Sequence, residues 1–324
     1  MTEFNLDFPR AYGELTATSI FREQPEDFQV DEDLGFTPSG VGEHVFLHIL
    51  KRGENTAWVA EKIATLAGVN VNDVGYCGRK DRHAVTTQWF SVYLPKGTEP
   101  AWSDISSDSI KLISFARHQQ KLRRGDHQQN HFVICLRDVN TDNRELLEQK
   151  IKNVFSLGVP NYYGEQRFGR NGNNLHEAQA ILVDGKRYRD KQKRGLMLSA
   201  ARSFLFNQVL AARVTEGNWM QCLDGEIEQF PSGPLWGRGR SLVTNELAAF
   251  EQRILEPWQT WCNGMEHAGL SQERRRLQLI PRNGSFFWKE NCLYLSFSLD
   301  AGEFATSVLH EISALKVTTT TSPE

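Results

Sequence analysis

The most chemically suggestive stretch is Gly78-Arg79-Lys80-Asp81-Arg82-His83, placed directly before a β-branched, aromatic run from Thr86 to Leu94. One carboxylate stands among three permanent cations and a histidine. Positive charge close by favours a carboxylate anion. An anion carried at the rigid end of a strand is a credible nucleophile or base, and the neighbouring cations could hold substrate phosphates. The competing explanation is a solvated turn whose charges merely pair with one another.

Three further stretches bear on that choice. Arg117 to Arg124 is basic and is followed by Asn130-His131-Phe132. Lys186 to Arg194 holds six bases against the single Asp190. Basic runs with aromatics nearby suit RNA, whose phosphates take the cations and whose unstacked bases take the rings. The exposed face of a helix start would explain the second run equally well. Asn161 to Gly169, with Tyr162, Tyr163, Arg167 and Phe168, is an aromatic loop punctuated by glycine, and a packed domain junction would also account for it.

Other chemistries lack their residues. His176-Glu177 and His310-Glu311 begin an H-E-x-x-H pattern, but the fifth positions are Ala180 and Ala314. There is no C-x-x-C pair, so no zinc site is expected. Gly237-Arg238-Gly239 would need glycine at 242 for a dinucleotide fingerprint, and Leu242 stands there. Neither a phosphate-binding G-x-x-x-x-G-K-[ST] loop nor a G-x-S-x-G elbow occurs.

The elements that must position Asp81 can be read from periodicity. Strands are expected at Phe28 to Glu32, Val45 to Leu50, Thr86 to Leu94, Phe132 to Leu136, Phe286 to Trp288 and Cys292 to Leu299. Asn55 can cap a helix from Thr56 to Ala67 that ends at Gly68. Further helices are expected at Asn143 to Phe155, Leu196 to Thr215, Asn245 to Leu255, Thr260 to Gly264 and Ala305 to Leu315. A Thr-rich tail, Thr318 to Glu324, is expected to fray. The pattern reads as an α+β domain interrupted by a second unit between about Pro160 and Ile280.

Composition narrows the class without choosing the activity. The 324 residues carry 37 bases and 40 acids, and 40% are hydrophobic. Such a chain can bury a core without a staple. The opening Met1 to Gly13 holds Glu3 and Asp7 and no apolar run, so no secretory leader is expected. No stretch approaches the ~18 apolar residues of a membrane span. Five scattered cysteines point to reduced thiols and a cytoplasmic setting. The net charge of -3 conceals a net of -8 in residues 1–50 and +5 beyond, so a basic face can be built locally. Non-specific RNA binding should be modest and weakened by salt.

Taken together these strings resemble the TruD family of tRNA pseudouridine synthases. The likeness runs through Pro25-Glu26-Asp27-Phe28, Gly42-Glu43-His44, Lys51 with Asn55-Thr56, and Gly78 through Lys80-Asp81 to Thr86. It continues in Gln88-Trp89, Asn130 and Phe132, the Asn161 to Gly169 loop, Leu198 to Ser203, and Phe304 to Ser307. The resemblance implies a pseudouridine synthase catalytic domain with a mixed sheet, at residues 1–159 and 281–324, and an inserted α/β TRUD domain at 160–280, with RNA held in a cleft between them. It implies an isomerase that converts uridine 13 of tRNA to pseudouridine without cofactor or metal. The catalytic aspartate would be Asp81. Phe132 would stack on the target base, supported by Asn130. Arg22, Glu26, Lys80, Arg82, Tyr163 and Arg167 would serve substrate or RNA. The partner would be tRNA, tRNA-Glu among the set, and the protein a monomer without membrane association. Arg22 stands where the family often has lysine, Asp300 where proline is usual, and His310 where arginine is common.

Two other classes share some of these features. An RNA-docking factor of the same fold would not need Asp81 in its full local setting. A nucleoside or glycoside hydrolase would need a second carboxylate facing Asp81; Glu23, Glu26 or Asp27 could supply it, but nothing in the sequence places them opposite Asp81.

Overall fold

The computed structural model describes residues 4–95 and 99–317, so the Thr-rich tail lies outside the described residues. The chain forms two compact units. One comprises Thr16–Gln149, Pro281–Ala305 and the residues from Ser313 onward; the other comprises Met1–Leu15, Lys150–Ile280 and Thr306–Ile312. Segment 160–280 falls wholly within the second, together with 1–15, 150–159 and 306–312.

The first unit opens with β1 (Ala17–Phe21), β2 (Phe28–Asp33) and β3 (His44–Arg52). In β2 the residues alternate buried and exposed, as a strand with one covered face requires. β3 is entered through Gly42, at φ 130°, where a Cβ would stand 2.2 Å from the His118 carbonyl oxygen. Helix α1 (Thr56–Ala67) lays Val59, Ala60, Ile63 and Ala64 against Val45, Leu47 and Ile49 of β3. Gly68 ends it in the left-handed conformation. Asn55 occupies the cap position but makes no side-chain cap bond. There follow β4 (Val74–Tyr76), β5 (Val85–Tyr93), β6 (Ile110–His118) and β7 (Gln129–Thr141). β6 absorbs Arg117 and His118 of the first basic run. Helix α2 (Arg144–Leu157) starts where Asn143 Oδ1 accepts from the Leu146 amide at 2.9 Å.

The second unit is mainly helical. It holds β8 (Val159–Pro160), α3 (Asn173–Leu182), α4 (Lys191–Thr215), β9 (Ser232–Leu235), α5 (Asn245–Leu255) and α6 (Gln259–His267). β10 (Glu273–Arg276) pairs with β9 and β11 (Gln278–Leu279) with β8. α4 starts five residues before the position read from its apolar face. Asp190 accounts for the difference, since its side chain accepts from the Gln192 and Lys193 amides. The core gathers Phe168, Leu175, Phe204, Val209, Trp261 and Met265.

The chain then returns to the first unit through β12 (Arg282–Lys289) and β13 (Cys292–Asp300). α7 (Ala305–Ile312) ends three residues before the expected Leu315. There Ala314–Val317 becomes β14 instead, drawn into a parallel ladder on β1 with Thr18 opposite Ala314. The sheet has ten strands, in the order β12-β13-β7-β2-β5-β3-β6, with β1 between β14 and β7 and β4 on β5. It is mixed: β2–β5 and β1–β14 are parallel, the other pairs antiparallel. The α+β class read from sequence holds. β7 is the longest strand of the sheet; one half pairs with β2 and the other with β1. The 22–27 turn therefore crosses the middle of β7. No helix among the described residues is long and apolar enough to cross a membrane.

Candidate active site

Asp81 sits on the loop between β4 and β5 and is held at two points. Its Oδ2 accepts from an Arg22 Nη2 at 2.9 Å, and its carbonyl oxygen accepts from Lys51 Nζ at 3.1 Å. The carboxylate side chain remains 41% exposed while Arg22 is 14% exposed, so the anion faces solvent from a largely covered cation. The loop is fixed on either side: Thr56 Oγ1 accepts from the Lys80 amide at 3.0 Å, and Gln88 Nε2 donates to the Gly78 carbonyl.

Arg22 is held under load. It follows the last residue of β1 with φ 61°, a left-handed conformation that costs a side-chain-bearing residue about 1–2 kcal/mol. Its guanidinium carbon lies 4.3 Å from the centre of the Phe28 ring and 4.7 Å from that of Phe21. Its Nε is buried without a partner. Burial lowers the Arg22 pKa, and Asp81 opposes that shift. Backbone strain and an unsatisfied donor at one residue mark a position held for something other than stability.

Below this pair an aromatic stack runs across three strands. Phe132 of β7 is paired in register with Val30 of β2 and Phe297 of β13. Its ring is 6.0 Å from Phe28 and 5.6 Å from Phe297, stacked on the latter. Only 7% of Phe132 is exposed, so the residue is buried in this stack. Phe28 belongs to the site as well, touching both Arg22 and Phe132.

Lys80 does not turn toward Asp81. It forms a buried ion pair with Glu32, whose second oxygen accepts from the Trp89 amide at 3.1 Å. Asn130 lies opposite Glu32 in the β2–β7 ladder, and its Nδ2 is 2.9 Å from His127 Nε2. The Asn130 Oδ1 and His127 Nδ1 are buried without partners. Burial, then the charge of Lys80, lowers the His127 pKa. Glu32, Cys77 and His127 present ligand atoms within 4.8 Å of one another. Both Glu32 oxygens are already engaged, one by Lys80 and one by the Trp89 amide, and burial pushes the Cys77 thiol up to about 12.

The remaining candidates separate. Arg82 Nε donates to the Gly53 carbonyl at 3.3 Å, joining the Asp81 loop to the end of β3. Glu26 pairs with Arg52 at 2.6 Å on the surface. Asp27 is buried on Arg137, and Glu23 lies 3.5 Å from the same guanidinium. The three acids offered as a second carboxylate thus have arginine partners of their own, which weakens a two-carboxylate hydrolase. Tyr163 and Arg167 belong to the other unit. Asn207 brackets the Tyr163 main chain at 3.0 and 2.9 Å, Arg275 lies 4.4 Å over its ring, and Arg167 reaches Ser199 and Ser203. In the second basic run Lys186 pairs with Glu177, while Lys191, Lys193 and Arg194 form the first turn of α4, where their charge opposes the helix dipole.

Lys51, one of the residues that carry the resemblance, and Glu32 were given no role at the site from sequence, yet a signal was present. Lys51 is in phase with Val45, Leu47 and Ile49, and Glu32 with Phe28 and Val30. A charge in phase with the buried side of a strand has to be explained by a partner.

Comparison with solved structures gives the class first. A crystal structure from Methanosarcina mazei, described as that of a candidate tRNA pseudouridine synthase D, aligns with a TM-score of 0.69 at 17% identity, covering 93% of this chain and 95% of that one. At that identity the likeness establishes the fold. The family model for tRNA pseudouridine synthase D (TruD) matches residues 14–191. A tRNA pseudouridine synthase D of Cellvibrio japonicus is 57% identical over 97% of this chain and 94% of its own length. One from Aeromonas hydrophila is 46% identical over 93% and 92%. This chain belongs to the TruD family of tRNA pseudouridine synthases.

Proposed function

We propose that this protein isomerises uridine 13 of tRNA to pseudouridine, with Asp81 as the catalytic carboxylate. The observation that carries the reading is the half-exposed Asp81 anion, anchored through Oδ2 by a strained, buried arginine. Oδ1 is the oxygen assigned to the reacting centre. In the reaction the N1–C1′ bond breaks, uracil turns, C5 joins C1′, the C5 proton leaves and N1 takes one up. Asp81 assists the cleavage, by adding to sugar or base or by taking a sugar proton. Phe132, backed by the buried Phe28, is assigned to stack on an extruded base, worth roughly 1–3 kcal/mol per base against the few that flipping costs. Asn130, with its unpartnered Oδ1, supports the same face of the sheet. Arg22 orients Asp81. Glu26, Lys80, Arg82, Tyr163 and Arg167 are assigned to the RNA or to holding the loops that meet it. The reading includes a tRNA partner with tRNA-Glu as first candidate, a cytoplasmic monomer, and chemistry without cofactor or metal.

The test is tritium release from tRNA labelled at uracil C5. Wild-type protein releases tritium, and Asp81→Asn lowers release by about 10³-fold or more while RNA affinity is kept. Release at the wild-type rate by Asp81→Asn overturns the assignment. Free uracil would identify a hydrolase, and tight binding without release a docking factor.

A further inference from the structure

Lys51 is the last inward residue of β3 and is 0% exposed. It stands opposite Thr86 of β5 and Ile110 of β6. Its Nζ donates to the carbonyl oxygen of Glu54 at 2.8 Å and to that of Asp81 at 3.1 Å. Both acceptors are main-chain atoms, one in the turn between β3 and α1, the other on Asp81 itself. Burying an ammonium group is costly, and the ladder of β3 to β5 and β6 is complete through main-chain bonds without it. The Asp81 loop is tied beside that residue at Gly78, Lys80 and Arg82, and Lys51 bonds the main chain of Asp81 itself.

We propose that Lys51 is a positioning residue for the isomerisation, its ammonium clamping the main chain of Asp81 to the β3–α1 turn so that the carboxylate meets C1′ or the base at the reactive distance. Arg22 fixes the carboxylate end and Lys51 the carbonyl end, so Asp81 is gripped by one cation from the turn after β1 and one from the end of β3. The inference rests on the reading of Asp81 as the catalytic group. The charged groups facing Lys51 are Asp81 and Lys80 from the loop and Glu54 from the turn. Burial lowers the Lys51 pKa from 10.5 to about 8, with Asp81 and Glu54 resisting and Lys80 adding to the shift. Loss of the Lys51 proton as pH rises past about 8 turns the ammonium into an amine, a weaker donor, and so weakens the clamp.

The experiment is single-turnover tritium release across pH, with tRNA affinity measured separately. Lys51→Met should lower the rate by about 100-fold, the scale of a displacement of roughly 1 Å at a reacting group, with affinity changed by less than about threefold. Wild-type rate should fall above about pH 8. Lys51→Arg, whose guanidinium stays charged there, should retain activity and lose that fall. A Lys51→Met rate within about threefold of wild type, or the same alkaline fall in Lys51→Arg, overturns the proposal. If Lys51→Met does not fold, the Lys51→Arg profile decides. Asp81→Asn is measured alongside: turnover by that variant sinks the Asp81 reading itself, whereas an inert Asp81→Asn beside a fully active Lys51→Met sinks only the clamp.

Discussion

The two units each contain a carboxylate paired with a covered arginine, and the pairs are built differently. In the helical unit Arg274 and Glu251 are 3% and 5% exposed, joined by two bonds of 2.7 and 2.9 Å. The rest of the guanidinium is satisfied by the Ser232 hydroxyl and carbonyl. In the sheet unit Arg22 carries backbone strain and an unpartnered Nε, and its Asp81 opens to solvent. The first pair is closed and its hydrogen-bonding capacity is spent inside the fold. The second is left incomplete, so it can act on something outside. Saturation, more than charge or burial, distinguishes the closed pair from the one assigned to the reaction.

Mutations can break or sharpen that contrast. The largest effect after Asp81→Asn should come from Arg274→Met, which strands buried carboxylates and costs about 3–5 kcal/mol of stability. Urea unfolding measures the loss, and turnover per folded molecule should not change. Arg22→Met should behave the opposite way. It should lower the rate about 100-fold, about 2.7 kcal/mol, with stability within about 1 kcal/mol of wild type. If Arg22→Met instead unfolds the protein at full specific activity, the contrast is wrong. Phe132→Leu keeps apolar volume and removes the ring, so the rate should drop roughly tenfold by loss of stacking; an unchanged rate removes Phe132 from the reaction.

The smallest effect is in pH. Burial pushes the Glu251 carboxyl up from 4.5 to about 7, against the pull of Arg274. A carboxyl raised in the fold holds its proton longer in the native state. Its contribution to stability is thus full below about pH 4.5 and is lost as pH rises through about 7. Glu251→Gln should flatten that decline, seen as unfolding midpoints that differ less between acid and neutral buffer.

Much of this was legible in the residues themselves. Alternation gave β2 and β3, the apolar faces gave α1 and α4, and the string around Asp81 marked the loop that carries the carboxylate. What stayed hidden was pairing between distant segments. Nothing local in Ala314–Val317 says that it leaves helix α7 for a ladder on β1, because that choice depends on a strand elsewhere in the chain. Likewise three cations flank Asp81 in sequence, but the one that bonds its carboxylate is Arg22, brought there by β7 pairing with both β1 and β2. Lys80, the immediate neighbour, is taken by Glu32.

The ladder between β1 and β14 has a consequence for synthesis. β1 leaves the ribosome early, and Arg22 follows it directly, but one of the two neighbours of β1 is made only when residues 314–317 emerge. Domains begin to fold while the chain is still growing, so a nascent or prematurely stopped chain can build the helical unit and most of the sheet while the strand leading to Arg22 remains half-supported. Competence for chemistry would then be switched on by the last strand, and truncated products would be poor catalysts even where they are well folded.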